Sequence, residues 1–422
     1  MMLRFIYTLI IFILSPFLLY SLYKKKQGKP SFKSRWKEHF GFTPALQSTK
    51  QPIWIHAVSV GEAIAAIPII KALKKTNPET PILVTTTTST GAEQVAKLGQ
   101  LIEHRYMPID FPFAIHGFLK SIQPSEMIIM ETELWPNTLH LVAKRGISIS
   151  VINARLSEKS YLGYQKVQSL FNLISKNLTH VCCQYHDDAD RFIALGITKD
   201  KVHITGSIKF DIDITATVIE SGKQLRKKLG TNRPIWIAAS THKGEDEKII
   251  SAHKSLLKVI PNAILILVPR HPERFNDVFD LCQTEGLSTV KRTNNLDIHN
   301  STQVYLADTM GEMLTLIGAA DICFMGGSLL GDKVGGHNIL EPAALGKPSL
   351  TGPSYFNFQE ITQQLLKRKA TIICKNEIEL EQALIELFQD NKYRATFSQN
   401  ALNVIEQNRG AVAKTLHKIN II

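Results

Sequence analysis

The chain begins with an apolar stretch, Phe5 to Tyr23, that contains no charged residue. Roughly 19 residues are enough for a helix to cross ~30 Å of hydrocarbon, and Pro16 within it predicts a kink. Beyond it the pattern becomes short apolar runs alternating with helical periodicity. Ile53–Val58, Pro81–Thr87, Met127–Met130 and Ser148–Ile152 read as strands, with helices such as Ala63–Lys75 and Gly91–Leu98 between them. The rhythm then restarts. Pro234–Ala239, Ala263–Val268 and Asp321–Phe324 are the strands of a second series, with helices at Glu245–Val259 and Glu273–Glu285. The charged helical segment Asp211–Gly230 separates the two. This βαβα alternation predicts an α/β protein made of two doubly wound parallel-sheet domains facing across a cleft. The expected organisation is an anchor over 1–23, a basic segment over 24–50, a first domain over 51–212, a linker over 213–230 and a second domain over 231–422.

Charge explains the first segment. A cleaved signal peptide would have a shorter apolar core and end in small residues, whereas this one ends in Tyr23 followed by Lys24, Lys25 and Lys26. The first 40 residues hold eight Lys/Arg against the single acid Glu38, which is seven of the twelve excess positive charges in a chain of 422 residues. Seven of these cations lie between Lys24 and Lys37, where they are expected to sit beside anionic lipid and keep the following chain on the cytoplasmic side. A membrane anchor of this kind is expected to contribute nothing to either core. The folded body carries little net charge, which argues against a nucleic-acid groove. At 44% hydrophobic and 20% charged residues, the chain is neither disordered nor fibrous. Five cysteines, an odd count without CxxC spacing, read as buried thiols.

In open α/β sheets, ligands bind beyond the carboxyl ends of the strands. That rule selects three places. In Ile53-Trp54-Ile55-His56-Ala57-Val58-Ser59-Val60-Gly61-Glu62, a strand runs through a turn, for which Gly61 is expected to supply the tightness, into a helix with a carboxylate in its first turn. Glu62 there can be a partner for the helix dipole, a general base, or both. Glu131 and Glu133 directly follow the wholly apolar strand Met127–Met130, and paired carboxylates in such a position suit an oxocarbenium-like centre at a reacting sugar.

The third place is in the second half. Val268-Pro269-Arg270-His271-Pro272-Glu273-Arg274 ends a strand with a basic cluster suited to a phosphate. Asp308-Thr309-Met310-Gly311-Glu312-Met313 reads as a helix start whose free N–H groups can receive one. Phe324–Ser328 and Gly335–Pro342 complete a Gly-rich neighbourhood. None of these matches GxGxxG or the P-loop, so a dinucleotide or ATP site is not supported. His56, His271 and His337 lie far apart without HxH or HExxH spacing, which makes metal ligation the poorer reading.

The basic anchor together with WIHAVSVGE (54–62), TTTTSTG (85–91), ETELWPN (131–137), NARLS (153–157), GSIKFD (206–211), VPRHPERF (268–275), MGEM (310–313) and GGHNILEP (335–342) resembles the 3-deoxy-D-manno-octulosonic acid (Kdo) transferases of lipopolysaccharide synthesis. The resemblance covers nearly the whole chain in order. It implies a GT-B fold and transfer of Kdo from CMP-Kdo to the lipid A precursor lipid IVA at the cytoplasmic face of the inner membrane, without a metal or other cofactor. By motif, it makes Glu62 the proton acceptor and Glu131 and Lys209 the transition-state stabilisers. It makes Pro269 and Arg270, Met310, Gly311 and Glu312, and Asn338, Ile339, Leu340 and Glu341 the CMP contacts. Two rival classes are weaker. A nucleotide-sugar epimerase has no reason for an anchor, and a non-catalytic scaffold would be expected to lose Glu62 or the CMP neighbourhood.

Overall fold

The computed structural model describes residues 2–24, 30–296 and 298–421, apart from the side chain of Lys33. Lys25, Lys26 and Lys29 of the expected basic segment lie outside the described residues. The chain divides into two compact units, Met1–Asp211 with Arg409–Ile422, and Ile212–Asn408.

In the first unit seven parallel strands form one sheet: β1 (Ile53–His56), β2 (Ile82–Thr86), β3 (Glu103–Tyr106), β4 (Glu126–Met130), β5 (Ser148–Ala154), β6 (His180–Cys183) and β7 (Val202–Ile204), in the order 3-2-1-4-5-6-7. The central strands are buried on both faces, which is why they read as continuous apolar runs. Ile53 pairs with both Ile82 and Glu126, so β1, β2 and β4 finish at the same edge. The strand order reverses between β1 and β4, and a doubly wound sheet opens its binding crevice at that reversal.

The second unit repeats the plan with β8 (Ile235–Thr241), β9 (Ile264–Pro269), β10 (Thr289–Lys291), β11 (Val304–Leu306), β12 (Ile322–Met325), β13 (Ser349–Thr351) and β14 (Thr371–Ile373), in the order 10-11-9-8-12-13-14. Its reversal lies between β8 and β12. All five cysteines are free and buried.

Four expectations are corrected. The segment read as a linker is the helix Ala216–Leu229, started by the Thr215 side chain and built into the second unit, where Gly222 lies against Gly318 closely enough that a Cβ would stand 3.2 Å from the Gly318 Cα. The last residues do not belong to the second domain. Asp211 accepts the N–H groups of Gly410 (2.6 Å) and Val412 (2.7 Å), and the helix Ala411–Lys418 buries Ala411 and Leu416 in the first unit's core beside Ile55, Ile128 and Ile208.

The N-terminal helix, Met2–Tyr23, is long and apolar enough to cross a membrane, and most of its side chains are exposed. It is nevertheless seated on the first unit rather than detached from it. Ile11 is buried with Phe111 and Ala114, Tyr7 donates to Asp110 (2.9 Å), and the Tyr23 hydroxyl lies 2.7 Å from His39 Nδ1. Arg35, expected among the lipid-facing cations, turns inward instead. It pairs with Glu38 (2.7 Å), donates to the His104 carbonyl (3.0 Å) and lies over the Tyr106 ring.

Leu416→Ala tests the return of the chain end. Truncating a buried leucine costs about 2–5 kcal/mol, so calorimetry should show a destabilised first unit and an unaltered second. A variant of unchanged stability would contradict the packing.

Candidate active site

Ser59 starts the helix Val60–Thr76 by accepting the Glu62 N–H (3.2 Å) on its hydroxyl oxygen. Glu62 reaches back in return. Its Oε1 accepts from the Ser59 hydroxyl (2.8 Å) and its Oε2 from the Val58 N–H (2.8 Å). This is a reciprocal cap of the S-x-x-E type, and the Ser59–Glu62 spacing carried that signal. Gly61 does not have the role expected of it: it lies within the helix's first turn, and a Cβ there would meet only Ser59 Oγ, at 3.8 Å. Glu62 is buried, and burial raises its carboxyl from 4.5 to about 7. The Val58 and Ser59 hydrogen bonds oppose the rise, and the charges of Glu131 and Glu133 add to it. A carboxyl poised near neutrality can accept a proton from a hydroxyl and pass it on.

Glu131 follows β4 in a left-handed conformation (φ +57°), which costs a non-glycine residue ~1–3 kcal/mol and gathers at functional sites. The turn is held by its surroundings. The Glu131 N–H donates to Ile152 (2.9 Å), and the Thr132 hydroxyl donates to the Arg155 carbonyl. Glu133 is pushed up by burial and by Glu131. Lys209 sits in a single helical turn, Ile208–Phe210, whose first N–H is accepted by Asn153 Oδ1 (3.1 Å), and its Nζ lies 3.9 Å from Glu131 Oε1. The structure therefore gathers Glu62, Glu131 and Lys209, from three distant segments, at the reversal of the first sheet. Reading the sequence missed the groups that hold them, namely Ser59, Thr132 and Asn153.

The expected nucleotide contacts all lie in the second unit, at the strand ends. Pro269 closes β9 and is buried, while Arg270 is exposed, with its N–H on the Thr241 carbonyl (2.9 Å). Arg274 is not free for a phosphate: its guanidinium holds the Thr241 carbonyl (2.9 Å) and the buried Asp246. Arg270 stands close enough to Glu341 to oppose the burial that raises that carboxyl to about 7. Asn338 donates to Glu341 (3.3 Å). The side chains of Ile339 and Leu340 are in the core, so only their backbone can meet a ligand.

Met310 is exposed and Gly311 has φ +85°. The Glu312 carboxylate is held by Arg292 through two bonds (2.7 and 2.6 Å) and by Thr309 (2.5 Å), and these partners pull it down to about 2. With both oxygens engaged, what residues 310–313 chiefly offer a ligand is backbone N–H at a helix start. A cavity of about 1070 Å³ opens there, lined by Gln224, Lys228, Lys291, Arg292, Tyr305 and Glu312 among others. The helix Met313–Ala319 packs on Leu340–Ala344, which makes the two expected contact segments neighbours.

Glu245, which sequence reading passed over, supports the Gly-rich turn. It is fully buried and accepts the N–H groups of Gly327 (2.7 Å), Ser328 (3.1 Å), Leu329 (3.0 Å) and His242 (3.3 Å). Nothing in its sequence context marks it. His242 and His337 stack with Nε2 atoms 2.8 Å apart, and burial first, then neighbouring cations, lowers each to about 4. His271 lies beside His242, whereas His56 is in the first unit's core on Thr85. Among the described residues no cluster of three or more His, Cys, Asp or Glu could hold a metal ion.

Residues 34–212 match the family model described as 3-Deoxy-D-manno-octulosonic-acid transferase (kdotransferase), and residues 223–404 match Glycosyl transferases group 1. The 3-deoxy-D-manno-octulosonic acid transferase of Haemophilus influenzae is 40% identical over 416 residues, 98% of this chain and 97% of its own. That of Rickettsia felis is 36% identical over 371 residues, 87% and 78% of the two chains. Among solved structures, the UDP-GlcNAc 2-epimerase of Neisseria meningitidis superposes with a TM-score of 0.58 at 16% identity, covering 88% and 99%, a likeness of fold alone. Two doubly wound units with these matches define a GT-B-like glycosyltransferase. Within that class the chain belongs to the Kdo transferase family of lipopolysaccharide biosynthesis.

Ser59→Ala probes the cap. Losing an N-cap hydroxyl costs about 1 kcal/mol. Because the Ser59 bond favours the ionised carboxylate, Glu62 should then titrate above its present value of about 7. Carboxyl ¹³C NMR reads the direction, and a downward shift would contradict the assigned bond.

Proposed function

We propose that this Kdo transferase moves Kdo from CMP-Kdo to a primary hydroxyl of lipid IVA, with inversion at the anomeric carbon, at the cytoplasmic face of the inner membrane. The observation that carries the reading is the buried carboxyl of Glu62, raised to about 7 and grouped with Glu131 and Lys209 at the end of β1. Glu62 takes the proton of the acceptor hydroxyl as its oxygen attacks. The bond from the anomeric carbon to the phosphate oxygen breaks, and CMP leaves with the electron pair. Positive charge grows on the sugar as this bond stretches, and Glu131 stabilises it. Lys209 neutralises the Kdo carboxylate.

Donor binding is assigned to Pro269, Arg270, Met310, Gly311, Glu312, Asn338, Ile339, Leu340 and Glu341. Arg270 and the free N–H groups before Met313 suit a monophosphate. CMP-Kdo holds one phosphate between sugar and nucleoside, so the protein's own donors suffice for its charge. The acceptor is an amphiphile, which is a reason for an apolar helix to hold the enzyme beside the bilayer.

Glu62→Gln keeps the size of the side chain and removes the base. Turnover with CMP-Kdo and lipid IVA should fall by ~10²–10⁴-fold, while CMP affinity measured by calorimetry stays the same. Near-normal turnover would transfer the role to another group, with Glu131 the next candidate. In the wild-type enzyme the rate should rise with pH through about 7, because only the deprotonated carboxyl accepts a proton. A rate already level from pH 5 would contradict this. Turnover should also survive EDTA, and a loss restored by Mg²⁺ would overturn the assignment of phosphate charge to protein donors.

A further inference from the structure

The Glu131–Trp135 segment is strung between β4 and the helix Pro136–Lys144. Its upstream end is held by the Glu131 N–H on Ile152 and by Thr132 on Arg155. The downstream end depends on how the helix starts, and here the local sequence supplies no cap. Trp135 occupies the N-cap position without a side-chain acceptor, and Pro136 follows it. The free N–H groups of the first turn still require partners.

They find them on Asp110, 27 and 28 residues away. Asp110 Oδ2 accepts the Asn137 N–H (2.9 Å), and Oδ1 accepts the Thr138 N–H (2.7 Å) and the Thr138 hydroxyl (2.6 Å). The fourth donor comes from the N-terminal helix: the Tyr7 hydroxyl lies 2.9 Å from Oδ2. Alongside it, Asn137 Nδ2 bridges the Asp110 carbonyl (2.8 Å) and Thr8 Oγ1 (2.9 Å). Ile11 and Phe12 close the junction against Phe111. Asp110 is 3% exposed, so an acceptor that loses Tyr7 cannot take water in its place without the junction opening.

We infer that Tyr7 and Asp110 form a brace through which the seated N-terminal helix positions the Glu131–Trp135 segment, so that this helix sets the geometry of the reacting carboxylates as well as holding the enzyme at the bilayer. Tyr7 and Asp110 are positioning residues that touch no substrate. The inference rests on the assignment of Glu131 to the reacting site.

The test uses the full-length enzyme in detergent with CMP-Kdo and detergent-dispersed lipid IVA, so that membrane capture of the acceptor no longer limits the rate. Tyr7→Phe removes one hydroxyl. Its kcat, read well below the thermal midpoint, should fall about tenfold, since small misplacements of reacting groups are costly, with KM for both substrates and membrane sedimentation unchanged and the thermal midpoint lowered by only a few degrees. Tyr20→Phe, an exposed tyrosine on the same helix, should behave as wild type. Asp110→Asn should lower kcat at least as much, and adding Tyr7→Phe to it should cost little more. Should Asp110→Asn fail to fold, Tyr7→Phe alone decides. A Tyr7→Phe enzyme of wild-type kcat, or one changed only in KM or sedimentation, overturns the brace. Glu131→Gln is assayed in parallel: full activity there overturns the site assignment, a failure distinguishable from that of the brace.

Discussion

A carboxyl group can be kept in the dry mouth of a βα turn only if other donors replace the water it gives up. The structure meets this constraint the same way three times, with backbone N–H groups that a helix start or a tight turn leaves over. Glu62 takes Val58 and the Ser59 hydroxyl, Asp110 takes Asn137 and Thr138, and Glu245 takes Gly327, Ser328, Leu329 and His242. In each case the acid fixes the backbone of a turn or helix start at the strand ends. The compensation is incomplete for Glu62. Its folded value of about 7 against 4.5 means that ionisation works against the fold, and the stability this group contributes below pH 4.5 is lost as pH climbs to about 7. A group held at that disadvantage is suited to take up a proton.

The two sheets place these acids by topology alone. Strands that stop in register deliver Glu62 and Glu131 to neighbouring turns, and Asn153 brings the Ile208–Phe210 turn, with Lys209, to the same edge. In the second unit the same edge presents exposed Arg270, the helix start after Glu312 and the segment around Asn338. There the proposed donor contacts divide in two. Arg270 is a free cation among them, whereas Glu312, Ile339 and Leu340 have their side chains engaged elsewhere and offer backbone. Substituting those side chains changes the shape of the site and leaves its hydrogen-bonding groups in place.

Much of this was legible in the sequence. The central strands announced themselves because burial on both faces demands unbroken apolar runs, and the strand-end rule then pointed to Glu62, Glu131 and Arg270. What was not legible is instructive. β3 reads Glu-His-Arg-Tyr and β10 Thr-Val-Lys, short edge strands without an apolar run, so nothing in their pattern separates them from loop. The return of the chain end to the first unit depends on Asp211 accepting two N–H groups about two hundred residues away. The seating of the N-terminal helix depends on Tyr7 and Thr8, two polar side chains in a stretch whose composition speaks only of lipid. Local pattern records propensity and burial, and these contacts are long-range hydrogen bonds between otherwise ordinary residues. The Ser59–Glu62 cap differs from these, because its three-residue spacing carries a signal, although the sequence reading passed over Ser59.

The central claim is that Glu62 is a desolvated carboxyl titrating near neutrality. The most direct measurement is its titration by carboxyl ¹³C NMR in glutamate-labelled enzyme, with the resonance identified by its loss in Glu62→Gln. The account predicts a midpoint near 7. A midpoint at the ordinary value of about 4.5 would show the group to be solvated, and the case for it as the base would fall.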